Sequence, residues 1–376
     1  MEIIKKPVEL IELFYDLIFV YAISQLTGLI SEPVGGIIPP YNLFAYFITC
    51  FVILQAWLYF TNYVNRYCRW EWYDYVLTFV NMTAVIYMSN TILGDWSVMY
   101  FTYDISMLII LLTVVLLYSV HAREEKSFDG AAGNSIKILL IVCGIYGVSI
   151  LASLFGFKEY VLPINVVAII TGAFLPFFIR GKFSKNIINF PHLVERFELL
   201  TIITFGEAVV GITHFFDTTN FNLIPILVFF IILMMFASYV VQIHRMIEHM
   251  REERALRLMF SHYFVIISIN LVTVAFELTH AGNVNHYLTG AMMIISLLVF
   301  YISILVNKEY YKKGVSLTKN DLLVMGVVFL TGSAIILIFI GNFYAFLIGS
   351  LIITFGNFAV LYMKYKRHEK KINMLN

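Results

Sequence analysis

Residues 8–30 read VELIELFYDLIFVYAISQLTGLI, an apolar segment long enough to cross a bilayer that carries Glu9, Glu12 and Asp16 in its first half. The intervals of three and four residues predict that the three carboxylates share one face of a helix. A carboxylate in hydrocarbon is costly unless it faces protein, a partner or water. We therefore expect this face to pack inward, against other helices.

A second segment has the same character. Residues 192–214 read HLVERFELLTIITFGEAVVGITH and begin with Glu195, Arg196 and Glu198. At the rise of an α-helix, Glu207 lies about 18 Å beyond Glu195 along the helix axis. The sequence thus predicts a carboxylate deep in the membrane at Glu207.

The composition indicates a membrane protein. Hydrophobic residues make up 60% of the chain and charged residues 13%, and the mean hydropathy is +0.85. The three cysteines, Cys50, Cys68 and Cys143, are scattered, so they predict neither a disulfide framework nor a metal site. We expect no cofactor.

Windows of about 20 apolar residues predict twelve membrane-spanning helices in an all-α protein. The connections are too short to hold a soluble domain. The predicted spans lie near residues 8–30, 42–63, 73–93, 97–120, 135–156, 160–180, 194–214, 221–244, 256–279, 286–306, 320–340 and 342–364.

The distribution of Lys and Arg predicts the orientation. If the amino terminus is cytoplasmic, 24 of the 25 basic residues fall on the cytoplasmic side, and only Lys158 falls outside. We therefore expect a multi-pass protein of the cell membrane with both termini in the cytoplasm. Because orientation explains the basic residues, nothing in the sequence indicates nucleic-acid binding.

Adding 183 to the residue numbers of each predicted span in the first half gives a range close to that of a predicted span in the second half. The offset pairs Glu12 with Glu195 and Gly28 with Gly211. Six is an even number, so the pattern predicts two parallel six-helix halves, residues 1–185 and 186–376.

Polar stripes occupy corresponding positions of the second and eighth helices. Their members are Gln55, Tyr59, Asn62 and Arg66, and then Ser238, Gln242, Arg245 and His249. One interpretation is ordinary interface chemistry of long side chains. The other is that Arg66 and Arg245 offset the carboxylates of the first and seventh helices.

The fourth and ninth helices carry further polar groups. His262 is either a functional group or a hydrogen-bonded core histidine. One face of the ninth helix continues with Asn270, Thr273, Glu277 and His280. For Glu277 and for Asp104 of the fourth helix, contact with water at the outer surface is the simple explanation.

Charged residues recur at fixed places in these apolar helices. Together they resemble the motifs of the bacterial low temperature requirement A family, over most of the chain. The matching elements are E-L-F-Y-D-L-I-F-V at 12–20, Trp57 with Asn65 and Arg66, H-x2-E-R-F-x-L-x-T-I-I at 192–203, Gly206 with Glu207, and Ser261 with His262. Glu198 departs from the pattern, because the family is expected to have Gly there.

The resemblance implies a polytopic inner-membrane protein linked by its family name to growth in the cold, without an established substrate. From the residues we expect a transporter or channel for a cation or small solute. Buried carboxylates on helices 1 and 7 would bind or pass the ion. The candidate pathway residues are Glu12, Asp16, Arg66, Glu195, Arg196, Glu207, His262, Asn270 and Glu277.

Two alternatives stay open. A membrane enzyme acting on lipid or lipid-linked substrates would also use clustered carboxylates, but the sequence carries no His-rich box, H-E-x-x-H or phosphate-binding glycine loop. A sensor or scaffold would use the charges as structural ion pairs, such as Glu12 or Glu195 with Arg66 or Arg196. Membrane lipids are expected partners, and a homo-oligomer is compatible with the sequence.

Overall fold

The computed structural model describes residues 6–91, 96–124, 130–179, 188–216, 222–282 and 284–374. Within these ranges the chain forms twelve long helices. They are α1 (Leu10–Leu26), α2 (Pro40–Arg66), α3 (Trp72–Thr91), α4 (Trp96–Glu124), α5 (Gly130–Leu154), α6 (Val161–Phe178), α7 (Phe190–Gly211), α8 (Ile224–Tyr239), α9 (Leu256–Ala281), α10 (His286–Leu305), α11 (Lys319–Ile338) and α12 (Phe343–Asn373).

Short helical segments extend several of these helices. They are Gly28–Ser31, the 3₁₀ helices Lys158–Tyr160, Thr213–Phe215 and Val306–Tyr310, and the π-helix Val240–Arg245. The β-structure of the described residues consists of isolated bridges. The prediction of an all-α chain is confirmed.

Eleven of the described helices are long and apolar enough to cross a membrane. Helix α3 is 20 residues long, which also suffices for a bilayer, but it is more polar because it carries Asp74, Asn81 and Asn90. The structure therefore confirms a polytopic membrane protein with eleven or twelve spans. Five basic residues used for the orientation lie outside the described residues: Lys5, Lys126, Arg180, Lys182 and Lys185.

The chain folds into two compact units. Unit 1 comprises Met1–Leu29, Tyr41–Arg196 and Met250–Arg254, and unit 2 comprises Ile30–Pro40, Phe197–His249 and Ala255–Asn376. The helix α7 contributes to both, since the division falls between Arg196 and Phe197. The two repeated halves, 1–185 and 186–376, stay a prediction.

Within unit 1, helices that follow each other in sequence pack together. Helix α3 contacts α4, α4 contacts α5 and α5 contacts α6, while α1 packs on α3. Gly172 of α6 allows a close approach, because a Cβ atom there would collide with the Tyr59 hydroxyl of α2. Apolar side chains on the outer faces, such as Phe79 and Phe174, are exposed, as expected for a surface in contact with lipid.

In unit 2, α9 is the most buried of the long apolar helices, since 89% of the residues in its most apolar stretch are buried. It packs on α10, while α11 packs on α12 and α12 on α8. In α11 only 22% of the residues in the most apolar stretch are buried, so most of this helix is available to lipid.

The amino-terminal end of α1 differs from the prediction. Glu9 was expected to pack inward with Glu12 and Asp16, but it precedes the first turn and is exposed. Its backbone N–H donates to Glu12 Oε1 at 3.2 Å. The helix begins at Leu10, two residues later than the apolar segment 8–30 indicated, so Glu9 remains at the surface.

Candidate functional site

A cluster of charged side chains lies buried inside unit 1. Helix α1 supplies Glu12 and Asp16, which are one turn apart and therefore on one face. The first turns of α7 supply His192 and Arg196 with the same spacing, and α2 supplies Trp57. All five side chains have 0% exposure. We call them the Arg196 cluster.

The guanidinium of Arg196 connects both carboxylates of α1. Its Nη2 donates to Asp16 Oδ1 at 2.5 Å and its Nε to Asp16 Oδ2 at 3.2 Å, while Nη1 donates to Glu12 Oε2. Trp57 Nε1 adds a donor to Asp16 Oδ1 at 2.7 Å. Planar, forked donors of this kind match carboxylate geometry and make strong, charge-assisted bonds.

His192 bridges the cluster to α2. Asn65 has its amide orientation fixed by the backbone, because its Oδ1 accepts from Asn189 N at 3.1 Å and its Nδ2 donates to Asn189 O at 2.8 Å. The same Nδ2 lies 3.0 Å from His192 Nδ1, which must then be an acceptor. The ring proton consequently sits on Nε2, which faces Glu12 Oε2 at 3.1 Å.

Lys6 adds a positive charge at the end of α2. Its Nζ donates to the carbonyl oxygens of Val64 at 2.5 Å and Cys68 at 2.9 Å, which lie at the carboxyl-terminal end of the helix. Burial lowers the pKa of Lys6, and the charge of Glu12 acts in the opposite direction. Because two carboxylates face one guanidinium in the Arg196 cluster, this additional cation helps to balance the charge.

The Arg196 cluster is a closed ion-pair network. The ion pair of Glu12 with Arg196, one of the pairings considered from the sequence, is present. Both oxygens of Asp16 accept from Arg196 or Trp57. Arg66 instead donates to Asn62 Oδ1 of its own helix at 3.2 Å, and Glu195 is half-buried outside these ion pairs. The geometry is suited to joining α1, α2 and the first turns of α7.

Glu207 has a different environment in unit 2. It is half-buried near the carboxyl-terminal end of α7, and the structure joins it to none of the described residues by a hydrogen bond or ion pair. One turn later on the same face lies Gly211. A Cβ atom on Gly211 would come 2.8 Å from Thr273 Cγ2 and 3.4 Å from Glu277 Oε1 of α9.

The contact between α7 and α9 continues toward their carboxyl-terminal ends. The rings of His214 and His280 lie 6.4 Å apart between centroids. Both contacts advance in the same direction along the two helices, so these helices run parallel. One turn before Gly211 and Thr273 come Glu207 and Asn270. We call this row the α7–α9 seam; its members are Glu207, Gly211, His214, Asn270, Thr273, Glu277 and His280.

The seam contains polar groups without partners among the described residues. Asn270 is 5% exposed, and its Nδ2 has no hydrogen-bond acceptor in the part of the chain that the structure describes. Glu277 is half-buried and, like Glu207, forms no hydrogen bond or ion pair with a described residue. The sequence singled out Glu207, Asn270 and Glu277 separately. The structure places Glu277 beside Gly211, and helical spacing puts Glu207 and Asn270 one turn earlier on the two contacting faces.

His262 is a hydrogen-bonded core histidine. It is fully buried in α9, with Nδ1 2.7 Å from Leu258 O and Nε2 2.9 Å from the hydroxyl of Tyr239. Because both ring nitrogens have protein partners, the geometry supports a structural function for His262 rather than a function in a pathway.

Two polar clusters were not predicted. Asp104, expected to be solvated at the outer surface, is 0% exposed and bound by Ser149 and Asn165. Glu198 lies 3.1 Å from His244 Nδ1 and 3.8 Å from His249 Nε2. The partners are distant in sequence, so no local pattern indicated them. Within the described ranges, no group of three or more His, Cys, Asp or Glu side chains is arranged to hold a metal ion.

Apolar helices long enough to span a bilayer, with charges buried among them, define a polytopic α-helical membrane protein. The sequence profile of the bacterial low temperature requirement A proteins matches residues 7–359. The chain belongs to this family, and the resemblance stated from the motifs is confirmed. A search of curated proteins finds no match.

Proposed function

We propose that this protein is a transporter or channel for a cation or small solute, and that the α7–α9 seam is part of its route. The observation that carries the proposal is Glu207, a half-buried carboxylate within a helix long and apolar enough to span a membrane, without a partner among the described residues. An ionisable group on an apolar helix requires water, a ligand or a counter-ion to reach it.

The neighbouring groups support this assignment. Asn270 offers an unsatisfied amide and Glu277 a second carboxylate on the facing helix. His214 and His280 continue the row as exposed side chains at the far end. Such a row of carboxylate, amide and imidazole groups along a membrane helix pair is typical of proton and cation routes.

The Arg196 cluster has a supporting function in this proposal. Glu12 and Asp16 hold the start of α7 by ion pairs, so they act as positioning residues for the helix that carries Glu207. We further propose two parallel six-helix repeats in the cell membrane with both termini in the cytoplasm. Membrane lipid is the surrounding partner, and a homo-oligomer is compatible with the exposed apolar surface.

The test is ion flux into liposomes that contain the purified protein. A pH-sensitive dye and ion-sensitive dyes inside the vesicles report flux under imposed gradients of H⁺, Na⁺ or K⁺. We expect the wild type to exceed protein-free vesicles for at least one ion. Glu207→Gln should abolish this flux and Glu277→Gln should reduce it, because each removes the charge with little change of shape.

The matched control is Glu253→Gln, which removes a carboxylate from the loop before α9 and should leave flux unchanged. Wild-type flux equal to that of protein-free vesicles for every ion would refute the proposal. So would full flux in both Glu207→Gln and Glu277→Gln. A sensor or scaffold stabilised by the Arg196 cluster would then be the better interpretation, since that network is closed.

A further inference from the structure

Unit 1 holds a buried carboxylate, Asp104, that is not a member of the Arg196 cluster. Asp104 of α4 is 0% exposed and accepts two hydrogen bonds from neutral donors. Ser149 Oγ of α5 donates to Asp104 Oδ2 at 2.6 Å, and Asn165 Nδ2 of α6 donates to Asp104 Oδ1 at 2.7 Å. Three helices thus converge on one carboxyl group.

No described cation pairs with this carboxylate. The hydrogen-bond partners of Asp104 are Ser149 and Asn165, and its electrostatic neighbours are the phenols of Tyr103 and Tyr146. An ionised carboxylate buried among neutral groups is strongly unfavourable. Its charge has to be neutralised by a proton or by a bound cation.

The amide of Asn165 distinguishes these two cases. The side chain is 5% exposed and directed at Asp104, yet its Oδ1 has no hydrogen-bond partner among the described residues. Turning the amide over would let Oδ1 accept a proton from a neutral Asp104, but it would leave the Nδ2 donors without their acceptor. A proton therefore leaves one buried amide atom unsatisfied in either orientation, whereas a cation satisfies the free oxygen and the charge together.

We propose that Asp104, Ser149 and Asn165 form a binding site for one small monovalent cation, of the chemistry of Na⁺. The available ligand atoms are all oxygens: the carboxylate, the Ser149 hydroxyl and the Asn165 carbonyl. Oxygen ligands suit hard cations. One carboxylate carries one negative charge, so a monovalent ion balances it and a divalent ion does not. The site is independent of the proposed transport through the α7–α9 seam.

The first test is thermal unfolding of the purified full-length protein in NaCl or choline chloride at constant ionic strength. A ligand that binds only the folded state raises Tm in a saturable manner, and we expect a rise of about 2–4 °C. Asp104→Asn keeps the shape and removes the charge, so its Tm should not respond to Na⁺. Ser149→Ala should respond at about fivefold to tenfold higher Na⁺, because one ligand is lost.

The control is Glu159→Gln, which removes an exposed carboxylate of the same unit and should retain the wild-type response. Binding of radioactive Na⁺ gives a second measurement, with about one competable ion expected for each wild-type chain. If Asp104→Asn does not fold, two measurements still test the cation site. They are the wild-type Tm in NaCl against choline chloride and the higher Na⁺ concentration that Ser149→Ala requires. Equal wild-type Tm values in the two salts would overturn the proposal. A Tm that follows pH alone would overturn it as well and would assign a proton to Asp104.

Discussion

Arg196 of α7 is joined by ion pairs to α1. It is fully buried and bonds to both Glu12 and Asp16. A buried ion pair contributes little net stability by itself, because desolvation offsets the attraction. Removing one partner destabilises the protein strongly, because the remaining charges stay buried without compensation.

We predict that Arg196→Met destabilises the protein by about 3–5 kcal/mol, because two carboxylates are left buried without their cation. Adding Glu12→Gln and Asp16→Asn to this variant should recover much of the loss. Thermal unfolding followed by tryptophan fluorescence measures both effects. Arg245→Met, at an exposed arginine of the π-helix, is the control and should unfold like the wild type. An unchanged Tm in Arg196→Met would contradict the structural function of the cluster.

The sequence identified the important residues of this cluster but not their pairing. Glu12, Asp16 and Arg196 were conspicuous because charges are rare in apolar helices. Arg66 and Arg196 were both candidate partners, and only the packing of α7 on α1 distinguishes them. Asp104 was assigned to water for a related reason: its donors, Ser149 and Asn165, are ordinary polar residues 45 and 61 positions away.

At the scale of elements, α11 and α12 show how two membrane helices approach closely. A Cβ atom on Gly349 would lie 2.6 Å from the carbonyl oxygen of Gly332, and one on Gly332 would collide with the carbonyl oxygen of Gly349. The two backbones therefore touch at reciprocal glycines. Small residues at such crossings allow extensive van der Waals contact in lipid, where helices gain little from leaving water.

We predict that Gly332→Ala and Gly349→Ala each destabilise the protein by about 1–3 kcal/mol, because the added methyl groups force the helices apart. Gly326→Ala in the same helix provides the control, since nothing lies within 4 Å of its Cβ position. Its Tm should be unchanged or slightly raised, because alanine favours the helix. If all three variants unfolded at the same temperature, the contact would have no energetic importance.

The elements themselves were largely predictable. The bilayer fixes the length of a spanning helix, so apolar windows located all twelve helices. Their ends agree to within about five residues except at α12, which continues beyond the predicted residue 364 to Asn373 because its last turns are polar. The π-helix Val240–Arg245 was not expected, because hydropathy does not distinguish one helical hydrogen-bonding pattern from another. The first span was predicted to start at Val8, whereas α1 starts at Leu10, because apolar neighbours do not specify where the first turn begins.

At the scale of the whole molecule, the distribution of basic residues predicts which loops face the cytoplasm. Lys158 is the single basic residue assigned to the outer side, in the short helix Lys158–Tyr160 between α5 and α6. The carboxyl-terminal end of α12 carries a basic group, which the same rule predicts on the cytoplasmic side. The native cysteines are buried, so introduced cysteines can report this arrangement.

We predict that Glu159→Cys reacts with a membrane-impermeant maleimide in intact cells, whereas Lys370→Cys reacts only after the membrane is opened. Both positions are exposed, so accessibility to the reagent depends on the side of the membrane. Wild-type protein, with its buried thiols, gives the background. The reverse labelling pattern would show that the termini lie outside the cell.

The reciprocal glycines of α11 and α12 bear on behaviour in the cold. Attraction that originates in the ordering of water fades as temperature falls. Dispersion between two backbones embedded in lipid has no such origin, so this junction keeps its strength under chilling. This junction therefore rests on direct atomic contact rather than on water-driven association, in a chain whose family is named for a low temperature requirement.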